Sequence, residues 1–156
     1  MESQLWNFRI LTLENKTINF KDCKIYINIE QEKYFAPLEP FIVSNLDFSL
    51  IKIEISSGVF YFFAHKSLLF SLENSASIRL HDDLIFYKTD KKEYYIQKKS
   101  NQKSKKTLLH KLQMQANLEL SSNLELYNNY MLTKQENEQN RLMQLFFLVQ
   151  TEVNYV

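Results

Sequence analysis

From Leu5 to His81 the apolar and polar residues alternate with a period near two. That is the repeat of a strand with one face buried. In the first run Trp6, Phe8 and Ile10 stand opposite Leu5, Asn7, Arg9 and Leu11. "KIYINIE" puts Ile25, Ile27 and Ile29 on one face, and "SLIKIEIS" sets Ile51, Ile53 and Ile55 against Leu50, Lys52 and Glu54. "ASIRLH" ends the series with Ile78 and Leu80 together. Turn-forming groups fall between the runs: Glu14-Asn15-Lys16, Pro37-Leu38-Glu39-Pro40, Asn45-Leu46-Asp47, Ser57-Gly58 and Glu73-Asn74. Gly58 is the only glycine in the chain and lies between two β-prone runs, so it is expected at a hairpin with positive φ. Many short strands with frequent turns predict an antiparallel sandwich or barrel.

The pattern changes after His81. Lys88 to Lys111 holds nine lysines against Asp90 and Glu93. Its first part, "LIFYKTDKKEYYIQKK", reads as an extra hairpin with Thr89 to Lys92 at the tip, and "SNQKSKK" reads as a solvated linker. Beyond it the period becomes helical: Leu108, Leu109, Leu112, Ala116 and Leu120 recur at three and four. Ser122 offers an N-cap with Glu125 three residues on, which predicts a second helix from Asn123 towards Glu152. Its apolar positions form two clusters, Leu124, Tyr127 and Met131, then Leu142, Leu145, Phe146 and Val149, separated by the polar run Thr133 to Asn140. Two helices joined by "ELSSN" predict an antiparallel hairpin. The second cluster is expected to stay bare on the isolated chain and to await a partner.

Composition narrows the chemistry. The 156 residues are 45% hydrophobic, enough for one core with an appendage. Net charge is +1, which gives no reason to expect a nucleic-acid partner. Sixteen of the nineteen basic residues are lysine, and Asn, Ile, Phe and Tyr are abundant while Gly and Pro are scarce, the bias of an AT-rich genome. One glycine excludes GxGxxG and GxxxxGK[ST] phosphate loops. His65, His81 and His110 have no metal-ligand spacing, and Cys23 stands alone, so no intrachain disulfide forms. No GxSxG elbow and no base–nucleophile pair is visible, so no catalytic residue, metal ligand or cofactor-binding residue is assigned. No signal segment is read at the start, and no apolar run is long enough to cross a bilayer. The lysine-rich zone with Phe86, Tyr87, Tyr94 and Tyr95 is read as a tether more readily than as a single-strand nucleic-acid site.

The order of parts, and several short motifs, resemble the epsilon subunit of F-type rotary ATP synthases. Phe8-Arg9-Ile10-Leu11-Thr12-Leu13-Glu14 stands where that family opens with F-x-hydrophobic-x-T-P-E. "YFAPLEPFIVSNL", from Tyr34 to Leu46, resembles a shortened E-F-G-hydrophobic-L-P-x-H-A-P-L. The Gly58 hairpin with Phe62-Phe63 resembles the family's glycine–aromatic hairpin, and "LENSASIRLHDD" its last strand.

The resemblance implies an α+β protein: an N-terminal antiparallel β-sandwich over residues 1–87, a lysine-rich insert over 88–105, and an antiparallel two-helix hairpin over 106–156. It implies a non-catalytic central-stalk subunit of an F-type or F-type-like ATPase, without cofactor. The expected partners are a gamma-like shaft, α/β-like ATPase subunits, and a membrane-associated rotor ring or other coupled machinery such as a motility motor. The expected location is cytoplasmic, at the inner face of the membrane, without insertion. Tyr34, Phe35, Phe41, Leu142, Leu145, Phe146 and Val149 are the expected partner interface. The rival reading is a free-standing adaptor whose basic tether binds nucleic acid or an acidic partner.

Overall fold

A computed structural model describes residues 4–98 and 124–153. The chain divides into two compact units, Met1–Thr89 with Gln150–Val156, and Asp90–Val149. The first unit is built on a closed five-stranded barrel, not a sandwich. Its strands are β1 (Trp6–Leu11), β2 (Thr17–Asn28), β4 (Val43–Ile55), β5 (Gly58–Ser71) and β6 (Ser75–Arg79). β1–β2, β2–β4, β4–β5 and β5–β6 pair antiparallel. Four reversals leave β6 running the same way as β1, so the ring can close only with a parallel pair, and β1 and β6 pair in parallel from Asn7↔Ser75 to Leu11↔Arg79. Alternation alone is the same for the open and the closed sheet, which is why the sandwich expectation fails here.

The short β3 (Phe35–Pro37) adds to the end of β2, and β7 (Phe86–Thr89) adds to β5 beyond β6. The chain returns to this unit through the end of β8 (Leu148–Thr151), and Val153 joins the core.

The interior follows the alternation within each run. Trp6, Phe8 and Ile10 of β1, Ile18, Phe20, Cys23 and Ile25 of β2, Ile51 and Ile53 of β4, Phe62, Ala64 and Leu69 of β5, and Ala76 and Ile78 of β6 are buried. Phe62 meets Phe8 and Phe86 edge to face at 6.4 and 6.0 Å, and Phe86 meets Phe20 at 6.0 Å. Each such side chain contributes roughly 1.5–3 kcal/mol by leaving water.

The phase of the alternation shifts at two corners. On β2 the inward residues are Ile18 and Phe20, then Cys23 and Ile25. Between them the β1 register jumps from Phe8↔Phe20 to Trp6↔Cys23, and Asp22 takes φ 52°. That is a bulge, and it bends β2 from β1 towards β4. On β5 the inward residues are Phe62 and Ala64, then Leu69, and Lys66 between them takes φ 45°. β4 switches opposite it, from Ile42 and Leu46 to Ile51 and Ile53, so the two strands change faces together while their register holds from Val43↔Phe70 to Ile55↔Gly58. Gly58 follows the two-residue turn Ser56-Ser57 with φ 150°, as expected for the hairpin.

In the second unit the expected hairpin tip at Thr89 to Lys92 is a helix start. α1 covers residues 91–98 among the described residues. Asp90 Oδ1 accepts from Glu93 N at 3.1 Å, an Asp-x-x-Glu cap. The expected first helix from Leu108 to Leu120 lies outside the described residues. α2 runs Leu124–Phe146 and stops short of the expected Glu152. Phe147 takes φ 52°, the left-handed step that commonly ends a helix, and the β-prone Leu148-Val149 continues as β8. Among the described residues a short helix, a long helix and a strand stand where the insert and the two-helix hairpin were expected, which corrects that expectation.

Candidate functional site

β5 beyond Lys66 keeps Leu69 in the core but sets serines on either side of it inward. Ser67 and Ser71 are 1% and 3% exposed, whereas Leu68 and Phe70 between them and Leu72 just after them point outward, 39%, 39% and 54% exposed. The buried hydroxyls are bonded: Ser67 Oγ donates to His65 O at 2.9 Å and Ser71 Oγ to Glu39 O at 2.6 Å. Ser71 also accepts from Ile42 N at 3.1 Å, and its own N–H donates to Ile42 O at 2.9 Å. This clamp fixes the chain around Pro40-Phe41. Phe41 sits there with φ 59° and is 71% exposed. A bulky residue with positive φ is strained, and strain of this kind costs of order 1–3 kcal/mol.

The β4–β5 register assembles these residues into one outward ladder. Val43, 77% exposed, stands opposite Phe70, and Asn45 opposite Leu68. Phe41 and Leu72 follow just outside the Ile42–Ser71 bond at the end of the ladder. On the next strand Phe70 faces Ser77 and Leu68 faces Arg79. The result is a contiguous apolar strip with a polar rim, the anatomy of an interaction surface.

A second exposed aromatic stands at the β2–β3 turn. Glu30 and Gln31 take φ 51° and 58°, Ile29 N donates to Tyr34 O at 2.9 Å, and Asn28 Nδ2 donates to the same carbonyl at 3.2 Å. Tyr34 is left at the tip, 73% exposed. Phe35 is half-buried beside Tyr61, at 6.0 Å. Lys52 Nζ lies 5.0 Å from the Tyr26 ring centre and 5.6 Å from that of Phe35, and pairs with Glu54 at 3.3 Å.

Of the interface residues expected from sequence, Tyr34 and Phe41 are exposed and Phe35 is half-buried, on two different stretches of the barrel exterior. Leu142 and Val149 are completely buried, and Leu145 and Phe146 are half-buried, so this cluster is not a bare patch. Sequence reasoning missed Val43, Leu68, Phe70 and Leu72. Their signal was the order Ser67-Leu68-Leu69-Phe70-Ser71-Leu72, whose serines take the phase of the core.

Among the described residues, burial shifts the pKa values of Cys23 and His65. Cys23 is buried and donates to Trp6 O at 3.4 Å, and burial pushes its thiol up to about 12, away from nucleophilic reactivity. His65 Nδ1 lies 3.1 Å from Asp82 Oδ2, and burial lowers its pKa while the Asp82 charge opposes that shift. A cleft of about 650 Å³ carries Glu14, Lys16, Asp83 and Glu152 among its lining residues. Lys16 is engaged by Glu14 at 3.1 Å. Among the described residues no group of His, Cys, Asp and Glu is placed to hold a metal ion. No described helix is long and apolar enough to cross a membrane.

The family model of the UU051 N-terminal domain matches residues 7–85. The chain belongs to the UU051 family. The match begins in β1 and ends just before β7, so it spans the five barrel strands and the outward ladder. No curated protein and no solved structure matches the chain.

Proposed function

We propose that this chain is a non-catalytic subunit of a larger protein assembly and docks on it through the outward ladder of Phe41, Val43, Leu68, Phe70 and Leu72. The inverted run of β5 carries the reading. Placing serines inside and Leu68, Phe70 and Leu72 outside forgoes core burial, and the exposed rings gain only when another protein covers them. The assembly in this reading is an F-type-like rotary ATPase, with the barrel on a gamma-like shaft beside α/β-like subunits at the inner face of the membrane. The motif series from Phe8 to Asp83 supports that choice. The architectural part of the resemblance, sandwich plus helical hairpin, no longer does.

Native purification of the tagged chain tests the proposal. Recovery of P-loop ATPase subunits and a coiled-coil shaft chain is expected, and Phe70→Glu should lose them while the barrel stays folded. Recovery of nucleic acid released by salt, without protein partners, would favour the adaptor reading instead.

A further inference from the structure

β4 has an edge that nothing else in the described structure pairs. It meets β2 only over Ile51–Glu54, so its first half is bonded to β5 alone. Ser71 N donates to Ile42 O, which makes Ile42 a hydrogen-bonded partner of β5. Bonding direction alternates along an antiparallel strand, so the N–H and C=O of Val43 and Asn45 point to the open edge. The run from Val43 to Leu46 contains no proline, lysine or arginine, the usual means of blunting such an edge.

We propose that this edge pairs antiparallel with β4 of a second copy of the chain, about a two-fold axis at Ser44. In that register Val43 meets Asn45 of the second copy, and both contribute the backbone groups that are otherwise unpaired. On the other face Ile42 meets Leu46 of the second copy, and the small Ser44 meets its own equivalent at the axis. Ile42 and Leu46 are half-buried in the single chain, so the pairing completes their burial. Neighbouring registers are worse. Centred on Asn45, Val43 faces Asp47, and centred on Asp47, two carboxylates stand opposite each other. The axis at Ser44 avoids both conflicts.

The pairing goes beyond the proposed docking and does not depend on which assembly receives the chain. It joins the two outward ladders into one surface, with Phe70 and Val43 of one copy continuing into Asn45 and Leu68 of the other. Loss of the dimer and loss of the assembly are therefore separate outcomes, read on the purified chain and in the native pull-down.

Sedimentation velocity on the purified full chain at micromolar concentration should show a dimer. Asn45→Pro removes an edge donor without touching the β5 ladder and should weaken the dimer about tenfold or more. Ser44→Cys should give a disulfide-linked dimer on mild oxidation. Directly opposed residues that do not bond across the new edge lie about 4.5 Å apart at Cα, within disulfide reach. The buried Cys23 should add no cross-link. A wild-type monomer overturns the proposal, as does a dimer indifferent to Asn45→Pro. Equal cross-linking through Asp47→Cys and Ser44→Cys also overturns it. Should Asn45→Pro fail to fold, the cross-linking pair decides.

Discussion

The two halves of the β4–β5 hairpin share one register and differ in what surrounds them. Beyond the Asp47/Lys66 corner, Ile51, Ile53, Phe62 and Ala64 belong to the core, with Ile51 directly beside Phe62, and β2 takes the outer edge of β4 over Ile51–Glu54. Leu50 and Tyr61 on the other face are buried as well. Before the corner, Val43 and Phe70 are exposed, serines face inward and the edge is open. The same strand pair is thus barrel wall in one half and an exposed apolar face, the proposed docking surface, in the other. The difference comes from the phase switch at the corner rather than from hydrophobicity, since both halves are rich in Leu, Ile, Val and Phe.

The sharpest test sets one phenylalanine of each half against the other. Phe62→Ala should cost about 3–5 kcal/mol, because it empties a fully buried site between Phe8 and Phe86. Phe70→Ala should stay within about 0.5 kcal/mol in the isolated chain, as surface changes do. Urea denaturation measures both, and similar costs would mean that the outward ladder is covered within the chain and the contrast is false.

The hairpin tip comes next. Gly58→Val should destabilise by roughly 1–3 kcal/mol through backbone strain. A Cβ built at Gly58 meets the Phe60 ring at an ordinary 3.7 Å, so φ 150° and not crowding is the cause. An unchanged thermal midpoint would remove the strain argument at this turn.

The corner itself is tested by Lys66→Gly. Relief of a left-handed non-glycine residue offers roughly 1–2 kcal/mol, and the extra unfolded-state entropy of glycine takes back about 0.5–1 kcal/mol. A small rise in thermal midpoint is expected, and a fall would show that the Lys66 side chain, not the backbone step, holds the corner.

The smallest effect is the pH dependence at the same corner. The folded-state pKa of His65 lies below its ordinary 6.5. The neutral form is therefore favoured by folding, and its contribution is full above pH 6.5 and is lost as the pH falls through the folded value. Asp82 opposes the shift, so Asp82→Asn should lower the NMR titration midpoint of His65 further. A midpoint that rises in Asp82→Asn would contradict the role given to that ion pair.

The barrel strands were legible because each buries one face against a common core. Trp6, Phe8 and Ile10, or Ile51 and Ile53, declare that face by alternation alone. Residues 88–98 misled because lysines and tyrosines fit a hairpin and a helix alike, while the Asp90–Glu93 cap, which discriminates them, was passed over. Half of the ladder was hidden for another reason. Phe41 entered only with the interface that the resemblance implied, and Leu68, Phe70 and Leu72 look like core in any reading that assigns apolar residues to the inside.

By itself the sequence determined where most strands run and turn, because alternation and turn chemistry are local properties of consecutive residues; the turn expected at Asn45-Leu46-Asp47 is the exception, since β4 runs through it from Val43 to Ile55 and only changes its inward face there. It also determined that Gly58 turns a hairpin. The tertiary structure alone decided the closure of the ring, since parallel pairing of Asn7–Leu11 with Ser75–Arg79 joins segments far apart in the chain. It decided the phase of each run as well. Asp22 and Lys66 adopt left-handed conformations that glycine would have announced, and in this glycine-poor chain only the packed barrel compels them.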